Sequence, residues 1–171
     1  MKLTLSRAAE FLSAAGEFDH KAIAQAYSID SRTIEPGELF FAVRRWQETS
    51  GDGGLLLQDV FIRLSGEDYL APDLAWWAAA RRPRLVQGAL DIVPDLVVEV
   101  LSPATRINDL GAKKDAYLAA GARELWLADP QAATITTMQP DGRQQMLGRD
   151  DELTCQLLPG FVLEVARVFL T

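Results

Sequence analysis

The stretch "PDLVVEVLSPATRINDLGAKKDAYLAAG", residues 94–121, contains the pattern that decides the fold. Its first part, "DLVVEVLS" (95–102), is largely apolar on both faces, which predicts a strand in the interior of a sheet. Its second part, "NDLGAKKDAYLAAG" (108–121), predicts a helix that ends at Gly121. "RELWLAD" (123–129) predicts the next strand. A strand–helix–strand order of this kind predicts a right-handed crossover between parallel strands.

Two carboxylates interrupt the apolar strand, Asp95 and Glu99. An ionised carboxylate that is buried without a partner is costly, so such residues indicate a metal, a salt bridge or catalysis. Side-chain alternation places both on one face of the strand, but four residues span roughly 13 Å at about 3.3 Å per residue. They are therefore too far apart to share a small ion easily. Asp95 directly follows Pro94, and we expect it to support the structure more than the chemistry.

The acidic residue best placed to join Glu99 is Asp73, in "APDLAWW" (71–77). It begins the preceding predicted strand, and if the two strands are neighbours the carboxylates lie within a few ångströms of each other. Two carboxylates with few other hard ligands suit Mg²⁺ or Mn²⁺, which keep several water ligands. Alternatively, Asp73 caps a turn after Pro72.

The predicted helix carries Asp109, Lys113 and Tyr117 at intervals of four residues, which places them on one stripe. If that stripe faces the end of the Glu99 strand, Lys113 can orient a water or neutralise charge that develops on a phosphate. Two simpler interpretations stay open. Asp109 is also favoured by the helix dipole alone, and Lys113 beside Lys114 also fits a solvated face.

The chain has 171 residues, the length of one domain, with a net charge of −7 and a pI near 4.7. This acidic balance argues against a protein that coats nucleic acid by broad phosphate neutralisation. It does not exclude an enzyme that meets DNA through a local patch, and "RRW" (44–46) and "RRPR" (81–84) could supply one. The single Cys155 excludes an internal disulfide and a cysteine metal cluster, and we expect it to be a small buried residue.

The remaining patterns predict an α/β fold with a mixed central sheet flanked by helices. A helix is expected at 5–16, two extended segments at 22–43 around Pro36-Gly37, a short helix at 44–50, strands at 55–64 and 69–77 joined by a hairpin turn, a hairpin at 133–147 and a short strand or helical turn at 159–170.

"APDLAWW", the opening stretch with its continuation "ARELWLADP", and the closing "LPGF" strongly resemble the Uma2 family of restriction endonuclease-like proteins. The resemblance runs from about Arg44 to the C-terminus, and it implies the PD-(D/E)XK nuclease fold, in which two acidic residues on neighbouring strands bind Mg²⁺. It assigns the first acidic position to Asp73 and the second to Glu99. Where that motif expects lysine, two residues after Glu99, this chain has Leu101. The resemblance implies that Lys113 on the helix takes the place of that lysine.

Residues 1–43 depart from that family. "YSIDSRTIEPGELFFAV" (27–43) resembles the start of the N-terminal, nucleotide-sugar-binding domain of the murein ligase that adds D-Ala-D-Ala. The ATP loop of such a ligase, GxxxxGK[ST], is absent from the sequence, which excludes ligase activity. A segment of about 40 residues rarely folds alone, so we expect it to pack on the nuclease-like body, residues 44–171. The expected anchors are apolar: Leu5, Phe11, Leu12, Leu39 and Phe41.

The leading hypothesis is a Mg²⁺- or Mn²⁺-dependent nuclease that acts on DNA, with Asp73 and Glu99 as metal ligands and Lys113 as the catalytic cation. A second hypothesis is a non-catalytic relative that acts in binding or assembly. The possible partners are DNA and, under either hypothesis, a second copy of the chain in a homodimer. A third hypothesis is a nucleotide-sugar binder that uses Ser28, Asp30, Ser31 and Arg32, although these residues also fit an ordinary turn.

The sequence shows no bilayer-spanning apolar run and no signal-peptide core, which predicts a cytoplasmic location.

Overall fold

The computed structural model describes residues 37–65, 68–86, 88–101 and 109–169, which all belong to one compact unit. The predicted helix at 5–16, the proposed nucleotide-sugar residues and the anchors Leu5, Phe11 and Leu12 lie outside these ranges. The helices are α1 (Gly37–Ser50), α2 (Asp109–Ala119) and α3 (Val165–Val168). The strands are β1 (Leu55–Gln58), β2 (Ile62–Ser65), β3 (Asp68–Leu70), β4 (Leu74–Trp77), β5 (Leu96–Val100), β6 (Glu124–Asp129), β7 (Thr134–Met138), β8 (Gln144–Leu147), β9 (Glu152–Thr154) and β10 (Val162–Glu164).

A mixed sheet of six strands forms the centre of the fold, in the order β1-β4-β5-β6-β7-β8. The predicted interior position of the strand at 95–102 is confirmed, because β5 pairs antiparallel with β4 and parallel with β6. The predicted hairpin near Pro140-Asp141-Gly142 is also confirmed, since β7 and β8 are antiparallel. Gly121 has φ +110°, the left-handed conformation that favours glycine after a helix, and it follows α2 as predicted.

Both faces of the sheet are covered, as the apolar strand predicted. On one face Leu96 and Val98 pack in a cluster that includes residues of α1, α3 and the C-terminal strands. On the other face Val97 packs with Leu125 and Tyr117, which brings α2 onto the sheet. Burial on both faces explains why β5 consists almost entirely of Leu and Val.

The extended segment predicted up to residue 43 is wrong for residues 37–43, which belong to the helix α1. The helix predicted at 44–50 is confirmed, but it begins earlier, at Gly37. Leu39, Val43 and Trp46 are buried at the spacing of one helix face. The predicted anchor Leu39 is in the core, whereas the predicted anchor Phe41 is 47% exposed. Residues that are two positions apart share a face in a strand but lie on roughly opposite sides of a helix. Leu39 and Phe41 could therefore not both be buried in a helix.

The single strand predicted at 55–64 is in fact two strands. Asp59 adopts a left-handed φ of 48° between them, which turns the chain away from the sheet. The following β2 pairs with β3 in a separate hairpin that packs against the sheet through Ile62, which is fully buried. The chain then re-enters the sheet at β4, directly after Asp73.

Candidate active site

The β4–β5 ladder brings Asp73 and Glu99 to the same end of the two strands. Its last pair is Leu74 with Val98; Asp73 directly precedes Leu74, and Glu99 directly follows Val98. The charge of Asp73 is close enough to contribute to the raised pKa of Glu99. In addition, Oδ2 of Asp73 accepts a hydrogen bond of 2.6 Å from the backbone N–H of Val100, which ties the Asp73 carboxylate to the end of β5.

Both carboxylates are buried, and burial raises the energy of their charged forms. Burial raises the pKa of Glu99 to about 7, and the nearby charge of Asp73 adds to the shift. The pKa of Asp73 is raised mainly by burial, while the N–H of Val100 opposes that shift. No arginine among the residues of the described ranges forms an ion pair with Glu99. A buried salt bridge to arginine, the simple structural explanation for Glu99, is therefore not seen there.

The helix α2 brings two further groups to this pair. Lys113 acts on both carboxylates and lowers the pKa of each. The hydroxyl of Tyr117 donates a hydrogen bond of 3.0 Å to Oε1 of Glu99. Lys114, by contrast, pairs with the exposed Asp115 at 3.5 Å. Two members of the predicted stripe thus meet at the end of β5; the third, Asp109, begins α2, and its side chain lies outside the described residues.

Asp95 is not part of this arrangement, in agreement with the expectation that it supports the structure more than the chemistry. It lies at the other end of β5, where it is fully buried and its Oδ1 pairs with Nη1 of Arg81 at 2.6 Å and with Arg123 at 3.5 Å. Its Oδ2 accepts a hydrogen bond of 2.9 Å from the backbone N–H of Ala78. These partners give Asp95 a structural role.

The arginine of "RRPR" that binds Asp95 is not free to bind DNA. Arg81 also donates to the carbonyl of Val93 at 3.2 Å, and the exposed arginines of that run are Arg82 and Arg84. In the other run, Arg44 pairs with Glu48 at 3.3 Å on the surface of α1. Arg81 and Arg44 thus have partners within the protein.

Sequence reasoning missed one acidic residue near the pair. Asp59 directly follows β1, whose last residue Gln58 is paired with Leu74, and its charge raises the pKa of Asp73. The signal was present, because Asp59 interrupts the apolar "LLLQDVFIRL" much as Glu99 interrupts β5. It was overlooked because that stretch was taken for one unbroken strand.

A second polar cluster lies on the opposite face of the sheet. Glu124 is 3% exposed and accepts a hydrogen bond of 2.6 Å from Nε1 of Trp126. Cys155 is buried, as predicted; burial raises the pKa of its thiol to about 12, and the neighbouring Glu124 charge contributes. A thiol held protonated in this way is a weak nucleophile.

The carboxylates of Asp73 and Glu99 suit a hard cation that keeps most of its water ligands. Within the ranges that the structure describes, no group of three or more His, Cys, Asp or Glu could hold a metal ion. Asp73 and Glu99 together supply two carboxylates, and Mg²⁺ binds proteins through one or two such groups. Burial raises the pKa of both carboxyl groups, and a cation between them would compensate their buried charges.

The fold and this strand-end acidic pair define a nuclease-like α/β protein. A crystal structure described as "a putative nuclease belonging to DUF820 from Anabaena variabilis ATCC 29413" superposes with a TM-score of 0.70 at 18% identity, covering 98% of this chain and 97% of that chain. The family model described as "Putative restriction endonuclease", Uma2, matches residues 30–166. The chain belongs to the Uma2 family. No curated protein matches it.

The resemblance of residues 1–43 to a murein ligase is not supported. The Uma2 match already begins at residue 30, inside the segment that was assigned to the ligase. The helix α1 also runs through the expected junction between residues 43 and 44 without a break. Among the described residues, no helix is both long enough and apolar enough to cross a lipid bilayer.

Proposed function

We propose that this protein is a divalent-metal-dependent nuclease that hydrolyses phosphodiester bonds in DNA. The observation that carries the proposal is the pairing of Asp73 and Glu99 at one end of adjacent strands, with Lys113 acting on both. Family membership supports nuclease activity, and the choice of Mg²⁺ or Mn²⁺ and of DNA belongs to the proposal.

Asp73 and Glu99 would hold the ion. A divalent cation bound there would supply Lewis acidity, which stabilises negative charge on a phosphoryl oxygen and acidifies a bound water. The protein prepares the carboxylates for this task by burying them beside each other, so that their charges are poorly compensated in its absence. Perturbed carboxylates of this kind cluster at functional sites.

Lys113 would supply the fixed positive charge. Its ammonium can donate hydrogen bonds to an attacking water or to a non-bridging phosphate oxygen, and both interactions favour the transition state of hydrolysis. In the reaction, water forms a bond to phosphorus, and the bond from phosphorus to the leaving sugar oxygen breaks. Lys113 is not a ligand for a hard cation, so it adds electrostatic stabilisation without competing for the ion.

Plasmid nicking in the presence of Mg²⁺ or Mn²⁺ tests the function. Wild type should nick, while Glu99→Ala and Asp73→Asn should fall to the background rate. Glu152→Gln, at an exposed carboxylate on β9, is the matched control and should nick like wild type. Equal nicking by wild type and Glu99→Ala would exclude the proposed site.

Metal titration separates this proposal from the non-catalytic alternative. Calorimetry with Mn²⁺ should show one ion bound by wild type and much weaker binding by Glu99→Ala. A wild-type protein that binds no Mn²⁺ and nicks no DNA would instead support a relative that acts in binding or assembly.

A further inference from the structure

We propose that Tyr117 is a positioning residue, whose hydroxyl holds one oxygen of Glu99 so that the other faces the Asp73 side of the site. The inference rests on the proposed function for its consequence in catalysis. Its structural part, the orientation of one carboxylate by one hydroxyl, can be tested independently.

The ring of Tyr117 is placed rigidly enough for this role. It is fully buried and belongs to a cluster with Val97, Ala122 and Leu125. The backbone N–H of Ala122 also bonds to the carbonyl of Tyr117 at 3.0 Å, so the end of α2 is tied down at this residue. A side chain packed on all sides has a fixed ring position, and its hydroxyl oxygen therefore has a fixed location.

The hydroxyl of Tyr117 contacts the carboxylate of Glu99, whose orientation is not fixed by its own torsion angles. The terminal torsion of a glutamate is broad, so an unsupported carboxylate samples many directions. The bond of 3.0 Å from Tyr117 fixes Oε1 of Glu99, and Oε2 is then directed away from Tyr117. A phenol is protonated at neutral pH, so the hydroxyl of Tyr117 carries the proton that it donates.

The partner carboxylate is held in the same manner. Oδ2 of Asp73 accepts the N–H of Val100 at 2.6 Å, while Oε1 of Glu99 accepts the O–H of Tyr117. One donor belongs to the strand and the other to the helix α2, and each fixes one oxygen of one carboxylate. Groups that orient metal ligands in this way commonly change metal affinity or activity by about 10- to 100-fold when removed.

The test is Tyr117→Phe, which keeps the buried ring and removes only the hydroxyl. We expect Mn²⁺ affinity or turnover to fall by about 10-fold or more, with an unchanged KM for DNA and a thermal midpoint close to that of wild type. Tyr69→Phe makes the same chemical change at a tyrosine that is 45% exposed on β3, and it should leave all of these quantities unchanged.

A crystal structure of Tyr117→Phe tests the positioning role without relying on nuclease activity. The proposal predicts that the Glu99 carboxylate rotates or becomes split between orientations, while the ring of residue 117 stays in place. An unmoved Glu99 would overturn the proposal, and so would a loss of activity that is fully explained by a lower thermal midpoint. If wild type binds no Mn²⁺, the proposed function fails, and the Glu99 conformation in this structure still decides the role of Tyr117.

Discussion

The two ends of β5 present the same chemical group in opposite environments. At its start, Asp95 is surrounded by Arg81, Arg123 and a backbone N–H, which satisfy both carboxylate oxygens. At its end, Glu99 has a tyrosine hydroxyl, a second carboxylate and a lysine, and burial raises its pKa to about 7. The charge of Asp95 is compensated by groups of the protein itself. The charge of Glu99 is energetically costly where it lies, which would favour the binding of a cation.

This difference shows how a strand can carry both stability and chemistry. Breaking the Asp95 end should damage the fold, because its partners join β5 to the segment after β4 and to the turn before β6. Breaking the Glu99 end should damage activity and leave the fold intact or more stable. Functional sites commonly contain such locally unfavourable arrangements.

Apart from loss of the proposed metal ligands themselves, the largest expected effect comes from the helix cation at the Glu99 end. Lys113→Ala should lower turnover by about 10²- to 10⁴-fold, the range for a lost electrostatic or acid–base group, with little change in Mn²⁺ affinity. Lys114→Ala, one residue around the helix and paired with Asp115, should have almost no effect on steady-state nicking rates. If Lys114→Ala were the more damaging change, the wrong face of α2 would have been assigned to the site.

The second effect is a stability change that depends on pH. The pKa of Glu99 in the fold, about 7, lies above its ordinary value, so ionisation of Glu99 removes stability as pH rises through 7. Without metal at pH 8, the free energy of unfolding of Glu99→Gln should therefore exceed that of wild type by on the order of 3 kcal/mol. Near pH 5 the two free energies should differ little. Denaturant unfolding at both pH values measures this.

The exposed carboxylate of Glu152 provides the control for that measurement. Glu152→Gln should change the free energy of unfolding at neither pH. A gain for Glu99→Gln that is equal at pH 5 and pH 8 would show that the ionisation of Glu99 is not the cause.

The smallest expected effect sharpens the comparison from the other end. Asp95→Ala should lower the free energy of unfolding by about 2–3 kcal/mol, because it leaves the N–H of Ala78 without its acceptor and removes charge-assisted bonds to Arg81. The cost is moderate because both arginines remain accessible to water. Mn²⁺ affinity of the folded fraction should stay at the wild-type value, and a matching loss in affinity would show that the two ends of β5 are coupled.

The sequence predicted the sheet centre well because local patterns determine it. The apolar run at 95–102, the helix closed by Gly121 and the next strand specify β5, α2 and β6 without knowledge of the rest of the chain. The juxtaposition of Asp73 with Glu99 followed from the assumption that their strands are neighbours, which the register bears out. Tertiary partners were harder to predict.

The partners of Asp95 could not be predicted, because Arg81 and Arg123 are distant from it in sequence and meet it only in the folded chain. The helix α1 was missed for a different reason. The apolar residues of "ELFFAV" fit either period, and only the buried set Leu39, Val43 and Trp46 distinguishes a helix from a strand. Asp59 was missed because an apolar stretch with one acidic interruption also fits a continuous strand, and the left-handed turn at Asp59 is visible only in the fold.

The lysine lies on a helix and not on the strand beside Glu99, so one helix, α2, holds both Lys113 and Tyr117. Lys113 and Tyr117 lie one turn apart on the same stripe, so a rotation of the helix about its axis moves both groups together. A turn of about 100°, the angle of one residue, would withdraw the positive charge and the hydroxyl at once. The site is therefore assembled or dismantled as a unit, and its two helix-borne groups cannot be adjusted separately by shifting the helix.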